Sequence, residues 1–183
     1  MESTTTRILI SGFGGQGVLT LGQLIATIGL NQGKEVTWMP SYGAEMRGGT
    51  ANCSVIISDK MIGSPIASTN IDILCAMNIP SIVKFLNNVK PDGKVFVNSS
   101  IVKEPVGRTD ISATYVDASN IASKVGDIRV ANMVMLSGFL AKTNLFSFED
   151  VEAVLKQRFS GTRYEHLIPL NVEAVKQGLE ASS

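Results

Sequence analysis

Residues 7 to 11, RILIS, form a short apolar run that ends at a glycine-rich corner, GFGGQG, over residues 12 to 17. A different period follows at once, with Leu21, Leu24, Ile25 and Ile28 recurring three and four apart until Gly33. That spacing places them on one face of a helix over 17–31, and glycine is an ordinary stop signal. EVTWM at 35–39 then reads as a second strand. Strand, glycine corner, helix and strand make a βαβ unit close to the shortest length a parallel crossover permits. Such an opening commits the chain to an α/β sheet covered on both faces, which also accounts for its positive mean hydropathy.

The rest of the chain continues the alternation. TANCSVIIS at 50–58 alternates apolar and polar residues as a half-exposed strand would, MIGSPI returns briefly, and NIDILCAM at 70–77 reads as a buried strand. Pro80 suits the first turn of a helix carrying Ile82, Val83, Phe85 and Leu86, and Pro91, Asp92 and Gly93 predict a break. KVFVN and ISATYVD supply two more strands, followed by helices over 119–125 and 130–142. Ser147 with Asp150 has capping-box spacing before a helix over 148–159, and a last helix follows Pro169. The expected fold is α/β: a doubly wound, mainly parallel Rossmann-like sheet with a helical C-terminal tail, as one domain over residues 1–183.

Composition narrows the function. Sixteen basic and sixteen acidic residues cancel, so no positive field favours nucleic acid or an anionic membrane. Cys53 and Cys75 are the only cysteines. Their separation does not match a metal or cluster motif, which leaves them as core residues and this chain without a metal site. The N-terminus lacks an apolar signal region and no stretch suffices to span a bilayer, so a cytoplasmic location is expected. The lone histidine, His166, has no nucleophile motif around it, and no catalytic residue is assigned.

Gly12, Gly14 and Gly17 fit the G-x-G-x-x-G spacing, with Gly15 and Gln16 inside it. Glycines there let phosphate approach backbone amides at a helix start. The fingerprint alone admits a dinucleotide, another phosphate-bearing ligand or a structural turn. A dinucleotide site also needs an acid at the far end of the second strand, and that end reads MPSY, with Glu35 at the near end. The loop after it, PSYGAEMRGG, leaves the same sheet edge and brings Tyr42, Glu45 and Arg47 as candidate crevice or interface residues.

ILISGFGGQGV, PSYGAEMRGGTANCSVIIS, IGSP and IDILCAMN, in that order, resemble the gamma subunit of the 2-oxoacid:ferredoxin oxidoreductases across roughly residues 7 to 142. The resemblance implies a non-autonomous subunit of a complex that oxidatively decarboxylates a 2-oxoacid to an acyl-CoA and passes electrons to ferredoxin. Alpha and beta chains, and a cluster-bearing delta chain, would hold the thiamine diphosphate, magnesium and iron–sulfur clusters. It further implies coenzyme A phosphate contacts at Gly12, Gly14, Gly15, Gln16 and Gly17. The PSYGAEMRGG wording is closer to gamma chains of 2-oxoglutarate and branched-chain 2-oxoacid enzymes, and 2-oxoglutarate is the expected substrate. The alternative is a stand-alone nucleotide- or anion-binding Rossmann-like protein without redox partners.

Overall fold

The computed structural model describes residues 5–42 and 50–182, with Tyr42 and Ser182 described at the backbone alone. Six strands, β1 (Thr5–Phe13), β2 (Glu35–Tyr42), β3 (Thr50–Ser58), β4 (Ile71–Ala76), β5 (Val89–Asn98) and β6 (Ser112–Val116), form one sheet in the order β2-β3-β1-β4-β5-β6. The helices are α1 (Val18–Asn31), α2 (Ile79–Phe85), α3 (Ala118–Val125), α4 (Ala131–Lys142), α5 (Phe148–Phe159) and α6 (Ile168–Ser182). The α/β class and the mainly parallel sheet follow the sequence reading, and the neighbours of β1 do not. β1 pairs parallel with β4 but antiparallel with β3, and β3 pairs antiparallel with β2.

β2 therefore runs in the direction of β1 without touching it. The reason is local: β2 and β3 are joined by a short connection, which favours a hairpin, and β3 takes the place beside β1 that a simple βαβ unit would give to β2. Central placement also explains why β3 is buried on both faces from Cys53 to Ser58 rather than half exposed. Its Cys53, Val55 and Ile57 face α1, while Ser54 accepts a hydrogen bond from the Ala67 amide at 3.0 Å in the segment crossing the other face. That segment, containing MIGSPI, is irregular rather than a strand.

The break expected at Pro91–Gly93 is absorbed into β5 instead. Asp92 takes a positive φ of 61°, its amide donates to the Asp110 carbonyl, and the pairing with β4 shifts between Ile71 and Ile73. A bulge of this kind keeps the strand going past a proline. Elsewhere the local signals hold: Pro80 lies in the first turn of α2, and the Ser147–Asp150 capping box is formed at the start of α5.

The two faces are covered unequally. α1, α3, α4, α5 and α6 pack on one, over Ile8, Ile10, Ile73, Phe96 and Val116. α4 is buried from Ala131 to Phe139 because it lies between the sheet and α6, and Phe139 stacks on Phe96 with centroids 4.5 Å apart. The other face, carrying Leu9, Leu74, Val95 and Val97, is covered by α2 and extended segments.

Close approach of α1 to β3 rests on Gly22: a Cβ there would lie 2.4 Å from the Cys53 sulfur. Cys53 and Cys75 both sit opposite Ile10, one on each side of β1. Two strand spacings, about 10 Å, exceed the reach of a disulfide. Burial pushes the Cys53 thiol up to about 12, and burial raises Cys75 as well, with a further contribution from Cys53. Two outcomes follow. Gly22→Ala should destabilise the fold by about 1–3 kcal/mol through overpacking, and Cys53→Ala in the same chain should recover most of that loss in a urea titration. Native protein should also resist an aromatic disulfide reagent at pH 8, and its stability should fall as pH rises above 9, the ordinary thiol value, because only the unfolded thiols then lose their protons.

Candidate functional site

The corner begins with a tight turn in which the Gln16 amide donates to the Phe13 carbonyl at 3.2 Å. Gly15 and Gly17 have φ of 94° and 74°, a left-handed conformation that glycine adopts without the strain a side chain would bring. Gln16 then holds the turn with its side chain: Oε1 accepts from the Phe13 amide at 2.7 Å and Nε2 donates to the Met77 carbonyl at 3.3 Å. Both atoms of a side chain read from the sequence as a phosphate contact are thus already bonded within the protein.

α1 starts at Val18 with Gly17 as its cap residue, no side-chain cap bond and no acidic residue in the first turn. The amides of the first turn have no acceptor inside the helix, and the positive end of the helix dipole lies there. A cleft of about 320 Å³ opens over this end, lined by Phe13, Gly14, Gly15, Gly17, Val18, Leu19, Thr20 and Ala51. Gly12 is not part of that lining. It is buried, and a Cβ on it would come within 2.9 Å of Gln16, Met77 and Val18 together, so its role is steric.

Register decides where the second stretch lies. Gly12 is opposite Ala51, Ala51 is opposite Tyr42, and Phe13 is opposite Thr50. The chain therefore leaves the sheet at Tyr42 and returns at Thr50 on the same edge as the corner, with Tyr42 about 10 Å from Gly12 across two strand spacings. Glu45 and Arg47 lie outside the described residues. The same register counts against ordinary dinucleotide binding: β2 is not the neighbour of β1, its far end carries no acid through Tyr42, and Glu35 sits at the opposite edge beside Ser58.

Two asparagines that sequence reasoning passed over shape this edge. Asn132, near the start of α4, donates from Nδ2 to the Gly17 carbonyl at 3.2 Å, and a Cβ on Gly17 would fall 2.4 Å from that nitrogen. No local pattern marks it, because its partner lies 115 positions away. Asn78 caps α2, with Oδ1 accepting from the Ser81 amide at 3.0 Å and from the Ser81 hydroxyl at 2.6 Å. An asparagine two residues before a proline at a strand-to-helix junction is a readable signal. α1 leaves β1 toward one face and α2 leaves the adjacent parallel β4 toward the other, so a topological switch point lies between them. Open α/β sheets place ligands at such points.

The family model for pyruvate ferredoxin/flavodoxin oxidoreductase matches residues 7–181. The chain belongs to this family. It is 37% identical over 181 residues to the ketoisovalerate oxidoreductase subunit VorA of Methanothermobacter thermautotrophicus, covering 98% of this chain and 37% of that one. It therefore spans little more than a third of VorA. The 2-oxoglutarate synthase subunit KorC of Methanocaldococcus jannaschii is 33% identical over 165 residues, covering 88% of each chain. Among solved structures, the gamma subunit of a keto/oxoacid ferredoxin oxidoreductase from Geobacter sulfurreducens superposes with a TM-score of 0.81 at 30% identity, covering 97% of this chain and 98% of that one. The fold recurs in the 2-oxoglutarate:ferredoxin oxidoreductase of Magnetococcus marinus, solved with 2-oxoglutarate, coenzyme A and succinyl-CoA, at a TM-score of 0.83 and 24% identity over 32% of that chain.

Among the described residues no group of three or more His, Cys, Asp or Glu side chains could hold a metal ion, and no helix is long and apolar enough to cross a membrane. His166 lies in the exposed turn between α5 and α6, away from the corner in the chain. Gln16→Ala should leave the Phe13 amide without its partner and lower stability by about 1–3 kcal/mol. Thermal melting checks this: an unchanged midpoint would show that the carboxamide does not hold the turn.

Proposed function

We propose that this chain is the gamma subunit of a 2-oxoacid:ferredoxin oxidoreductase, acting as one gamma-type unit over residues 1–183, and that the start of α1 binds a phosphate of coenzyme A. The observation that carries the reading is the uncapped helix start, free of first-turn carboxylates, beneath the 320 Å³ cleft. A fourteen-residue helix presents a full positive dipole end to an anion, and glycines at Gly14, Gly15 and Gly17 keep side chains out of its way. Gln16 and Gly12 support that site by fixing the turn. Tyr42, Glu45 and Arg47 are proposed to close it from the neighbouring loop or to meet a companion chain.

On this reading the chemistry belongs to the partners of this chain. Alpha and beta chains, with a delta chain where clusters are separate, would supply thiamine diphosphate, magnesium and iron–sulfur clusters. The cofactors supply the carbanion chemistry and electron transfer to ferredoxin, while protein supplies position and electrostatics. What this chain does in that scheme is hold the acyl acceptor by its anionic end, at the sheet edge where β1 passes into α1. The proposed substrate is 2-oxoglutarate, as for KorC, with ketoisovalerate the competing choice from the likeness to VorA.

Thr20→Asp separates folding from binding. A carboxylate in the first turn of α1 should stabilise the helix by about 0.3–1 kcal/mol yet repel a phosphate at the same place. In the assembled complex, the KM for coenzyme A should rise at least tenfold while the melting temperature holds or increases. Turnover should appear with 2-oxoglutarate, coenzyme A and a low-potential acceptor in the complex, and not with the lone chain. Unchanged KM in the variant, or unaided turnover by the lone chain, would contradict the reading.

A further inference from the structure

One face of the sheet is finished by five helices, whereas the other has only the seven-residue α2 and two extended segments. Apolar exposure follows that difference. Of ten large apolar or aromatic side chains exposed among the described residues, seven belong to the thinly covered face. Met39 and Tyr115 stand on its edge strands, Met61 and Ile66 on the segment over β3, and Ile79, Val83 and Ile101 around α2. Val83 is 76% exposed and Met61 91%. A groove of about 320 Å³ runs between α2 and residues 101–107, walled by Ile79, Ile82, Val83, Leu86, Val102 and Val106. An exposed apolar groove of this kind on a folded chain marks a place where another surface sits.

We propose that this face docks the thiamine-binding companion chain of the oxidoreductase complex, which lays an apolar ridge in the groove beside α2; the proposal rests on the gamma-subunit reading above. The occupant follows from how the relatives are built. In VorA the matching region is 37% of a longer polypeptide, so there the rest of the protein is tethered to it. In KorC and the Geobacter gamma subunit the match fills 88% and 98% of the chain, with no comparable length left for a tether. A tether supplies effective concentrations near millimolar. Relatives without one, such as KorC, must replace it with contact area, about 800 Å² per partner for a stable interface. The groove wall itself carries one charge of each sign, Lys103 and Glu104, and exposed Lys84 follows Val83 on α2, so a partner border with carboxylates facing the two lysines complements it. Because α2 begins at Asn78, just past the end of β4 and on the same sheet edge as the start of α1, a partner seated here stands at the edge that carries the cleft over α1.

Val83→Glu places a charge in the groove on an exposed position and should leave the fold intact; Leu30→Glu, also exposed but on α1, is the matched control. Each variant would be co-expressed with the thiamine-binding companion chain from the same host, its melting checked, and its association measured by sedimentation. Val83→Glu should weaken association at least tenfold, with Leu30→Glu within twofold of the unmodified chain. Equal association for Val83→Glu, in a background where the unmodified chain does associate, overturns the docking surface alone. Loss of a self-dimer on Val83→Glu, with companion binding unchanged, assigns the groove to a second copy and equally overturns it. Failure of the unmodified chain to join the companion removes the gamma-subunit reading and this proposal with it.

Discussion

The Gln16 carboxamide carries the constraint on which the functional edge depends. Its oxygen takes the Phe13 amide and its nitrogen reaches the Met77 carbonyl, while the Met77 amide donates to the Ser11 carbonyl at 2.8 Å. β1 and β4 are thereby tied to each other beyond their last paired residues, and the turn between β1 and α1 is held against that tie. Satisfying these backbone groups internally leaves the first-turn amides of α1 as the ones with nothing to bond. Asn132 fixes the same helix start from behind by bonding the Gly17 carbonyl. A rigid corner with unspent donors is what an anion site requires, because donors that need no rearrangement lose little entropy on binding.

The insertion of β3 between β1 and β2 sets what kind of ligand such an edge suits. In a dinucleotide fold the end of the second strand adjoins the phosphate corner and offers an acid to a ribose. Here that neighbour is the start of β3, running the opposite way, and its Ala51 lines the cleft instead. The edge keeps the glycine corner of the motif without the acid that a ribose would need. The proposed role, positioning a phosphate-bearing co-substrate for chemistry performed by neighbouring chains, draws on this edge and on the thinly covered apolar face beside α2.

Elements whose cause is local are legible in the amino-acid sequence: the α1 periodicity, the Ser147–Asp150 box, the proline in the first turn of α2, the burial of β4. The order of strands is not, since nothing in EVTWM or TANCSVIIS says which of two apolar strands will lie beside β1. The alternation in TANCSVIIS suggests one exposed face, yet Ser54 and Ser58 are buried because the other face is crossed by the segment from 59 to 70, whose Ala67 amide bonds Ser54, and because Thr5 bonds Ser58 from β1. Residue pattern does not encode such long-range cover. At the site, the glycines of the corner are visible from spacing. Gln16 is visible too, though its bonds to Phe13 and Met77 make it a brace within the turn. Asn132 is hidden because its role exists only once α4 packs against the start of α1.

The central claim is that the start of α1 receives a phosphate of coenzyme A inside the assembled enzyme. Electron cryomicroscopy of the purified complex with coenzyme A bound measures this directly. The account predicts a phosphate within hydrogen-bonding distance of the backbone amides between Gly14 and Thr20, in the cleft over α1. Coenzyme A bound with its phosphates on other elements, and that cleft filled by solvent or a companion side chain, would contradict it.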